Sequence, residues 1–396
     1  MNQRQVLRFK LRLEVLSPVH IGCDDSLDPT NFVIDPNSNT LYFFDLKSLV
    51  DLLTDREHLK LREISEKKSP MALVELYRFY RSILPKLTKV ATYSCKVPEN
   101  LTQTYLRDLR ITNERDIFNH FNRLTIPRTY YNPLNNCPVI PGSSLKGALR
   151  TGYMEGLFKH LQSSTQRAKD QSLNNLIIDI LNINTETHRK RRFDLFIEFE
   201  KKILKFDDPS EDPFKHLIIS DLTPATPFQT RVLYEVNLRK KDINRNNLLG
   251  RGISLPIEVI PAGIVFEGEM TLEKQRAPEI ASINHRVLID TNYNHYNRIL
   301  KEERKLSNEH GVKHIALNER QVKALKEGNA LILKLGKHSG AEAVTIDGLR
   351  KIEIRTTGGR KIMSDKATTW WVASELKRNP NGAIPFGWVF LEFIQT

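Results

Sequence analysis

The chain of 396 residues contains little cysteine and no long apolar run. Its three cysteines, Cys23, Cys95 and Cys137, are widely spaced. An odd, scattered set argues against a disulfide framework and against a zinc site, and it fits a reducing compartment. No apolar run reaches the roughly 18 residues of a membrane-spanning helix, and the N-terminal residues lack the apolar core of a secretory signal. The sequence therefore predicts a cytoplasmic protein with no metal, no cofactor and no membrane partner.

Positively charged residues outnumber negatively charged ones. Sixty lysines and arginines face 47 aspartates and glutamates, which gives a formal net charge of +13. This surplus favours a polyanionic partner, with nucleic acid ahead of a membrane surface. A solvated basic surface with no such partner is the alternative that composition alone leaves open.

The hydrophobic pattern predicts an α+β protein in which large helical insertions separate the strands. From Val6 to Leu16, apolar and charged residues alternate with a period of two, as in a half-buried strand. Residues 55–125 look mostly helical, whereas the chain becomes rich in strands after residue 216. There "SLPIEVI" and "GIVFEGEMTLE" are expected to form a tight hairpin through Pro261 and Gly263.

The stretch "VIPGSSLKGALR", residues 139–150, is the most distinctive turn of the chain. Two glycines, two serines and a lysine precede an apolar stripe at helical spacing, which allows three interpretations. A nucleotide-binding P-loop is the weakest of them, since Lys146 precedes the second glycine and Ala148 stands where the motif needs lysine. The others are an ordinary helix cap by Ser143 or Ser144, and a cradle for phosphate in which glycine permits close backbone approach.

Several segments together resemble the RAMP superfamily of CRISPR effector proteins. They are "LEVLSPVHIG", "VIPGSSLKGALR", "IEVIPAGIVFEGEM", "LGKHSG" and the final "PFGWVFLEF". Their order and spacing most resemble the type III-A (Csm-type) subunit that lies at the crRNA 3′ end. The resemblance implies ferredoxin-like (RRM-like) cores with antiparallel sheet in two lobes: residues 1–273 with helical insertions, and residues 274–396 with a glycine-rich loop.

The resemblance also implies a function, partners and a binding site. The function is a non-catalytic crRNA-binding subunit of a type III-A ribonucleoprotein, which caps the filament of backbone subunits and supports crRNA maturation and antiviral defence. The partners are crRNA, target RNA, and the backbone and small effector subunits. The expected RNA-binding residues are Gly142, Ser143, Ser144, Lys146, Gly147, Arg150, Gly336, Lys337, His338 and Gly340.

Two other functions stay open at this point. An endoribonuclease acting on crRNA or target RNA would use His20, His338 or the acidic loop of Asp24, Asp25 and Asp28, because histidine and carboxylate are common general bases. Against it, none of these residues has a catalytic partner visible in the sequence. A protein-docking scaffold with little RNA contact is the third possibility.

Overall fold

The computed structural model of the chain describes residues 6–114, 117, 124–163, 170–183, 189–241, 252, 254–273, 282–355 and 360–396. Within them lie two large sheets, each covered by helices, which confirms the predicted α+β class with antiparallel sheet and helical insertions. In chain order the strands are β1 (Val6–Val15), β2 (Gly22–Leu27), β3 (Phe32–Asp35), β4 (Thr40–Phe44), β5 (Ala91–Lys96), β6 (Ile126–Thr129), β7 (Tyr131–Asn132), β8 (Cys137–Pro138), β9 (Leu217–Ile219), β10 (Thr223–Pro224), β11 (Arg231–Arg239), β12 (Pro256–Val259), β13 (Val265–Glu273), β14 (Ala330–Lys334), β15 (Ile352–Arg355), β16 (Lys361–Ser364), β17 (Thr369–Ser374), β18 (Ile384–Pro385) and β19 (Trp388–Gln395).

The described helices come mostly in groups between these strands. They are α1 (Leu46–Val50), α2 (Asp55–Ser65), α3 (Met71–Ser82), α4 (Leu84–Val90), α5 (Glu99–Asp108), α6 (Gly142–Ser163), α7 (Gln171–Asn182), α8 (Arg189–Leu204), α9 (His285–His310) and α10 (Glu319–Glu327). Short 3₁₀ turns lie at Pro29–Asn31, Pro209–Glu211 and Pro213–His216.

The first sheet has the order β10–β13–β1–β19–β14, and β9 also pairs with β13. Its centre is β1, which is antiparallel to both β13 and β19, with Leu11 opposite Gly268 and Phe393. The alternation of β1 buries Phe9, Leu11 and Leu13 against α6 and α9. The opposite face of the sheet carries the charged residues of β1, as the period of two requires.

The second sheet has the order β18–β17–β11–β5–β4–β3, with β12 also paired to β11. Apolar residues of β11 pack together with α3 and α5 to form its core. Because β12 pairs with β11 while β13 pairs with β1, the predicted hairpin of these two strands is wrong. The turn at Pro261–Gly263 instead carries the chain from one sheet to the other.

Both sheets draw strands from either side of residue 273. The first sheet combines β1 and β13 with β14 and β19, and the second combines β11 with β17. The division into lobes 1–273 and 274–396 stays a prediction.

Candidate nucleic-acid interface

Helix α6 begins at Gly142, and the packing at this point explains the first glycine of "GSSLKG". A Cβ added to Gly142 would lie 2.2 Å from the carbonyl oxygen of Ile219, so no larger residue fits without a shift of the backbone. The Gly142 N–H donates to Asp221 Oδ1 at 2.9 Å. The cap that the sequence offered to Ser143 or Ser144 is therefore supplied at this amide by Asp221, from the connection between β9 and β10.

The outer face of the first turns of α6 is the accessible part of this segment. Ser143 and Gly147 are exposed, while Ser144 and Lys146 are half-buried. A Cβ at Gly147 would meet nothing within 4 Å, so the backbone there is open to a ligand. Among the residues that the structure describes, Lys146 forms no ion pair. Partial burial lowers the pKa of Lys146, and the Asp212 carboxylate opposes that shift.

Arg150 lies on the same helix but is already occupied. Its guanidinium donates to both carboxylate oxygens of Asp212, at 3.1 and 2.8 Å, and to Glu200 at 2.8 Å. It also lies over the ring of Phe214, 5.0 Å from the centroid. Two carboxylates thus satisfy the arginine, and its main contribution is to hold α6 against neighbouring elements.

The second predicted segment, Gly336–Gly340, follows β14 as a tight turn. Gly336, His338 and Gly340 have φ values of +80°, 66° and +89°, a left-handed conformation that favours glycine. A Cβ at Gly336 would lie 2.2 Å from the carbonyl oxygen of His20, and the Lys337 N–H donates to that same oxygen at 2.8 Å. The first glycine therefore serves packing onto the residues that follow β1.

Glu235 on β11 binds Lys337 and His338 of this glycine loop. Its Oε2 accepts from Lys337 Nζ at 3.1 Å and lies 2.7 Å from His338 Nε2. Burial would raise the pKa of Glu235, but the contacts with His338 and Lys337 outweigh it and lower the pKa. The ring of His338 also stacks on Trp371, with centroids 4.5 Å apart. Of the loop's side chains, Lys337 is the one that reaches solvent.

His20 lies beneath the glycine loop and is 1% exposed. Its Nδ1–H donates to the carbonyl oxygen of Glu258 at 2.7 Å. Burial lowers the pKa of His20 to about 4, which keeps the imidazole neutral near pH 7. These contacts are those of a structural histidine.

A path of backbone hydrogen bonds joins the two predicted segments. Gly336 packs on His20; Tyr130 N–H donates to Ile21 at 2.6 Å; Val139 N–H donates to Tyr130 at 3.0 Å. Gly142 follows three residues after Val139. The structure thus fixes the start of α6 and the glycine loop to one framework, built from the residues after β1 and the strands on either side of Tyr130.

The predicted acidic loop is wrong for Asp24 and Asp25, which lie within β2, whereas Asp28 follows that strand. Asp24 is exposed with φ 57°, Asp25 accepts from the Tyr131 hydroxyl at 2.6 Å, and Asp28 accepts from the Thr30 N–H at the start of a 3₁₀ turn. Asp25 and Asp28 therefore have local roles in the structure. Asp24 has an unusual backbone conformation but no histidine partner within the described contacts.

Sequence reasoning missed the carboxylates that bind three of the predicted site residues. Asp221, Asp212 and Glu235 lie 79, 62 and 103 positions from their respective partners Gly142, Arg150 and His338. Asp212 and Asp221 stand in loops with no local signal. Glu235 does have one, since a glutamate within the buried run "VLYEV" needs a partner to offset its desolvation.

In the described part of the chain, no group of three or more histidine, cysteine, aspartate and glutamate residues could hold a metal ion. None of the described helices combines the length and the apolar character needed to cross a membrane.

The chain is similar to known proteins in both family and fold. No curated protein matches the chain. It is similar to a chain of the cryo-EM structure of a Csm–crRNA–target RNA ternary complex from a type III-A CRISPR-Cas system, with 19% identity and a TM-score of 0.56 over 97% of this chain and 100% of that one. The crystal structure of Csm5 from T. onnurineus is 17% identical, with a TM-score of 0.49 over 96% and 99% of the two chains. The RAMP superfamily model matches residues 12–291, and the chain therefore belongs to the RAMP superfamily.

Proposed function

We propose that this chain is a non-catalytic crRNA-binding subunit of a type III-A CRISPR ribonucleoprotein. It holds the 3′ region of the crRNA and caps the filament of backbone subunits, and so supports crRNA maturation and antiviral defence. The observation that carries the proposal is the match to the RAMP family over residues 12–291. The end-to-end similarity in fold to a chain of a Csm–crRNA–target RNA complex supports it.

The proposed mechanism is electrostatic. Lysine side chains replace the counterions of RNA phosphates, and an open backbone lets the phosphates come close. Lys146 has no ion-pair partner among the described residues, and the open backbone at Gly147 follows it directly. The net charge of +13 adds a long-range attraction that does not depend on base sequence. Such a site suits an RNA whose guide sequence varies.

The contacts of the histidines support the non-catalytic part of the proposal. His20 is 1% exposed and its Nδ1 is engaged by a backbone carbonyl. His338 Nε2 is engaged by Glu235 and its ring is covered by Trp371. Both imidazoles are thus largely buried, with one nitrogen of each engaged within the chain. A specific cut in crRNA or target RNA that is lost with His20→Asn, while the complex still assembles, would instead favour an endoribonuclease.

The phosphate contact is tested by Lys146→Ala in the full chain or the assembled complex. Affinity for unrelated single-stranded RNAs should fall by a similar factor, and the slope of log K against log salt should shrink by about 0.7, the value for one released counterion. The matched control is Lys89→Ala on α4, an exposed lysine that removes the same charge. Equal effects of the two variants would mean that only diffuse charge acts.

The role at the crRNA 3′ end needs the assembled complex. Ultraviolet crosslinking followed by sequencing of the attached RNA should place this chain on the 3′ portion of the crRNA. Complexes prepared without the chain should carry crRNAs with altered 3′ ends. Crosslinks confined to the 5′ portion would refute the proposed position, and assembly without any crosslink would favour a protein-docking scaffold.

A further inference from the structure

The glycine loop and the first turns of α6 differ in the counter-charge that the chain itself provides. In the loop, one oxygen of Glu235 contacts both Lys337 Nζ and His338 Nε2, at 3.1 and 2.7 Å. The Glu235 side chain is 10% exposed, whereas that of Lys337 is 45% exposed. The cation that reaches solvent is therefore held by a carboxylate that is almost entirely buried.

Glu235 cannot follow the loop if the loop moves. It lies inside β11, opposite Ala373 of β17, and its own N–H donates to the carbonyl oxygen of Leu255 at 3.0 Å. The Ser254 hydroxyl donates to the Glu235 carbonyl oxygen at 2.8 Å. Pairing on both sides fixes this carboxylate in the second sheet, so a Lys337 side chain that turns to another anion must leave or share Glu235.

A carboxylate oxygen and a phosphate oxygen are alternative acceptors for the same ammonium group. We infer that Glu235 competes with the RNA phosphate for Lys337, and so weakens RNA binding at the glycine loop. The inference rests on the proposed RNA-binding function and adds to it the residue that sets the strength of one contact. If Lys337 leaves Glu235 for the RNA, a solvent cation drawn to the freed carboxylate would partly cancel the counterion released from the RNA.

Glu235→Gln tests this competition, since the amide keeps the shape of the side chain and one acceptor oxygen. The matched control is Glu75→Gln on α3, which removes the same charge from a carboxylate paired with Lys67. With the full chain and a labelled, mixed-sequence single-stranded RNA, Glu235→Gln should bind up to about fivefold more tightly than the wild type. The slope of log K against log salt should become steeper, by at most about 0.7.

A double variant separates competition from a general effect of charge. Adding Lys337→Ala to Glu235→Gln should abolish the gain, because the freed ammonium is then absent, whereas adding Lys89→Ala should leave most of it. Tighter binding that survives Lys337→Ala would overturn the inference.

Three other outcomes would each refute the competition between Glu235 and RNA. Weaker binding by Glu235→Gln, in a variant that unfolds at the wild-type temperature, would show that Glu235 positions the loop for RNA and would refute competition. Equal affinities of Glu235→Gln and Glu75→Gln, with clear binding by the wild type, overturn the inference and leave the proposed function standing. If neither the wild type nor Glu235→Gln binds RNA, alone or in the complex, the proposed function fails and the inference fails with it.

Discussion

The first turns of α6 and the glycine loop contain similar residue types but differ in the ion pairing of their lysines. Both contain glycines and a lysine, and both are anchored to the residues around His20 and Tyr130. On α6 the lysine has no ion pair among the described contacts, and a carboxylate caps the helix amide behind it. In the loop the lysine itself is paired with a carboxylate. The difference shows that a basic turn is defined as much by its counter-charges as by its cations.

The largest expected effect contrasts the glycines of the two segments. Gly336→Ala should destabilise the protein by about 3 kcal/mol, because the left-handed backbone is strained by a side chain and the methyl group meets the His20 carbonyl. Gly147→Ala should stabilise it by up to about 1 kcal/mol, since alanine is the better helix former and the site is open. Denaturant unfolding of both variants measures the difference.

The affinity for RNA is a second measure of the difference between the two glycines. Gly147→Ala should lose affinity for RNA although it gains stability, if the open backbone there lies against phosphate. Unchanged affinity in that variant would limit the contact to side chains. A Gly336→Ala protein as stable as the wild type would contradict the close packing on His20.

Lowering the pH should destabilise the glycine loop more than the start of α6. The pKa of His20 is lowered to about 4 in the folded protein, below its unfolded value of about 6.5. The unfolded state therefore binds more protons between these values, so the contribution of His20 to stability is present above about pH 6.5 and is lost as the pH falls towards 4. At pH 5 the loss should be about 2 kcal/mol.

Hydrogen exchange locates that loss. The amide of Lys337, which donates to the His20 carbonyl, should lose protection at pH 5 relative to pH 7, after correction for intrinsic rates. The amide of Gly142, bonded to Asp221, serves as the reference. Equal losses at the two amides would mean that His20 does not control the loop specifically.

The smallest effect concerns the cap of α6. Ser143→Ala should change the free energy of unfolding by less than about 0.5 kcal/mol, because the serine is exposed and Asp221 occupies the Gly142 amide. Asp221→Ala should cost about 1 kcal/mol, the usual value for a lost cap. A larger loss of stability in Ser143→Ala than in Asp221→Ala, measured by thermal unfolding, would show that the serine is the cap.

Much of the fold follows from local patterns. The alternation of Val6–Val15 predicts the central strand of the first sheet, and the apolar stripe after Ser144 predicts most of α6. By contrast β5 (Ala91–Lys96) was missed, because it lies within a charged, mostly helical region. Its partner strands β4 and β11 both lie outside that region in the sequence. The sheet thus determines its structure more than its own residues do.

The candidate site shows the same limit. Lysine, glycine and histidine can be read from short segments, since each marks a local turn or charge. The carboxylates that oppose them come from other elements, brought close by the sheets rather than by the sequence. The turn at Pro261–Gly263 is a similar case: two strands joined by a short turn suggest a hairpin, and only the pairing of each with a different sheet excludes it.

The place of β1 between β13 and β19 has a consequence for how the protein is made. Arg12 and Glu392, joined across this pairing, lie 380 positions apart in the chain. During synthesis β1 leaves the ribosome well before β13 and β19, so its backbone edges and apolar face remain open to other chains until those strands follow. Contacts of such long sequence separation also close slowly. The nascent chain is therefore vulnerable to aggregation through β1 until β19 emerges.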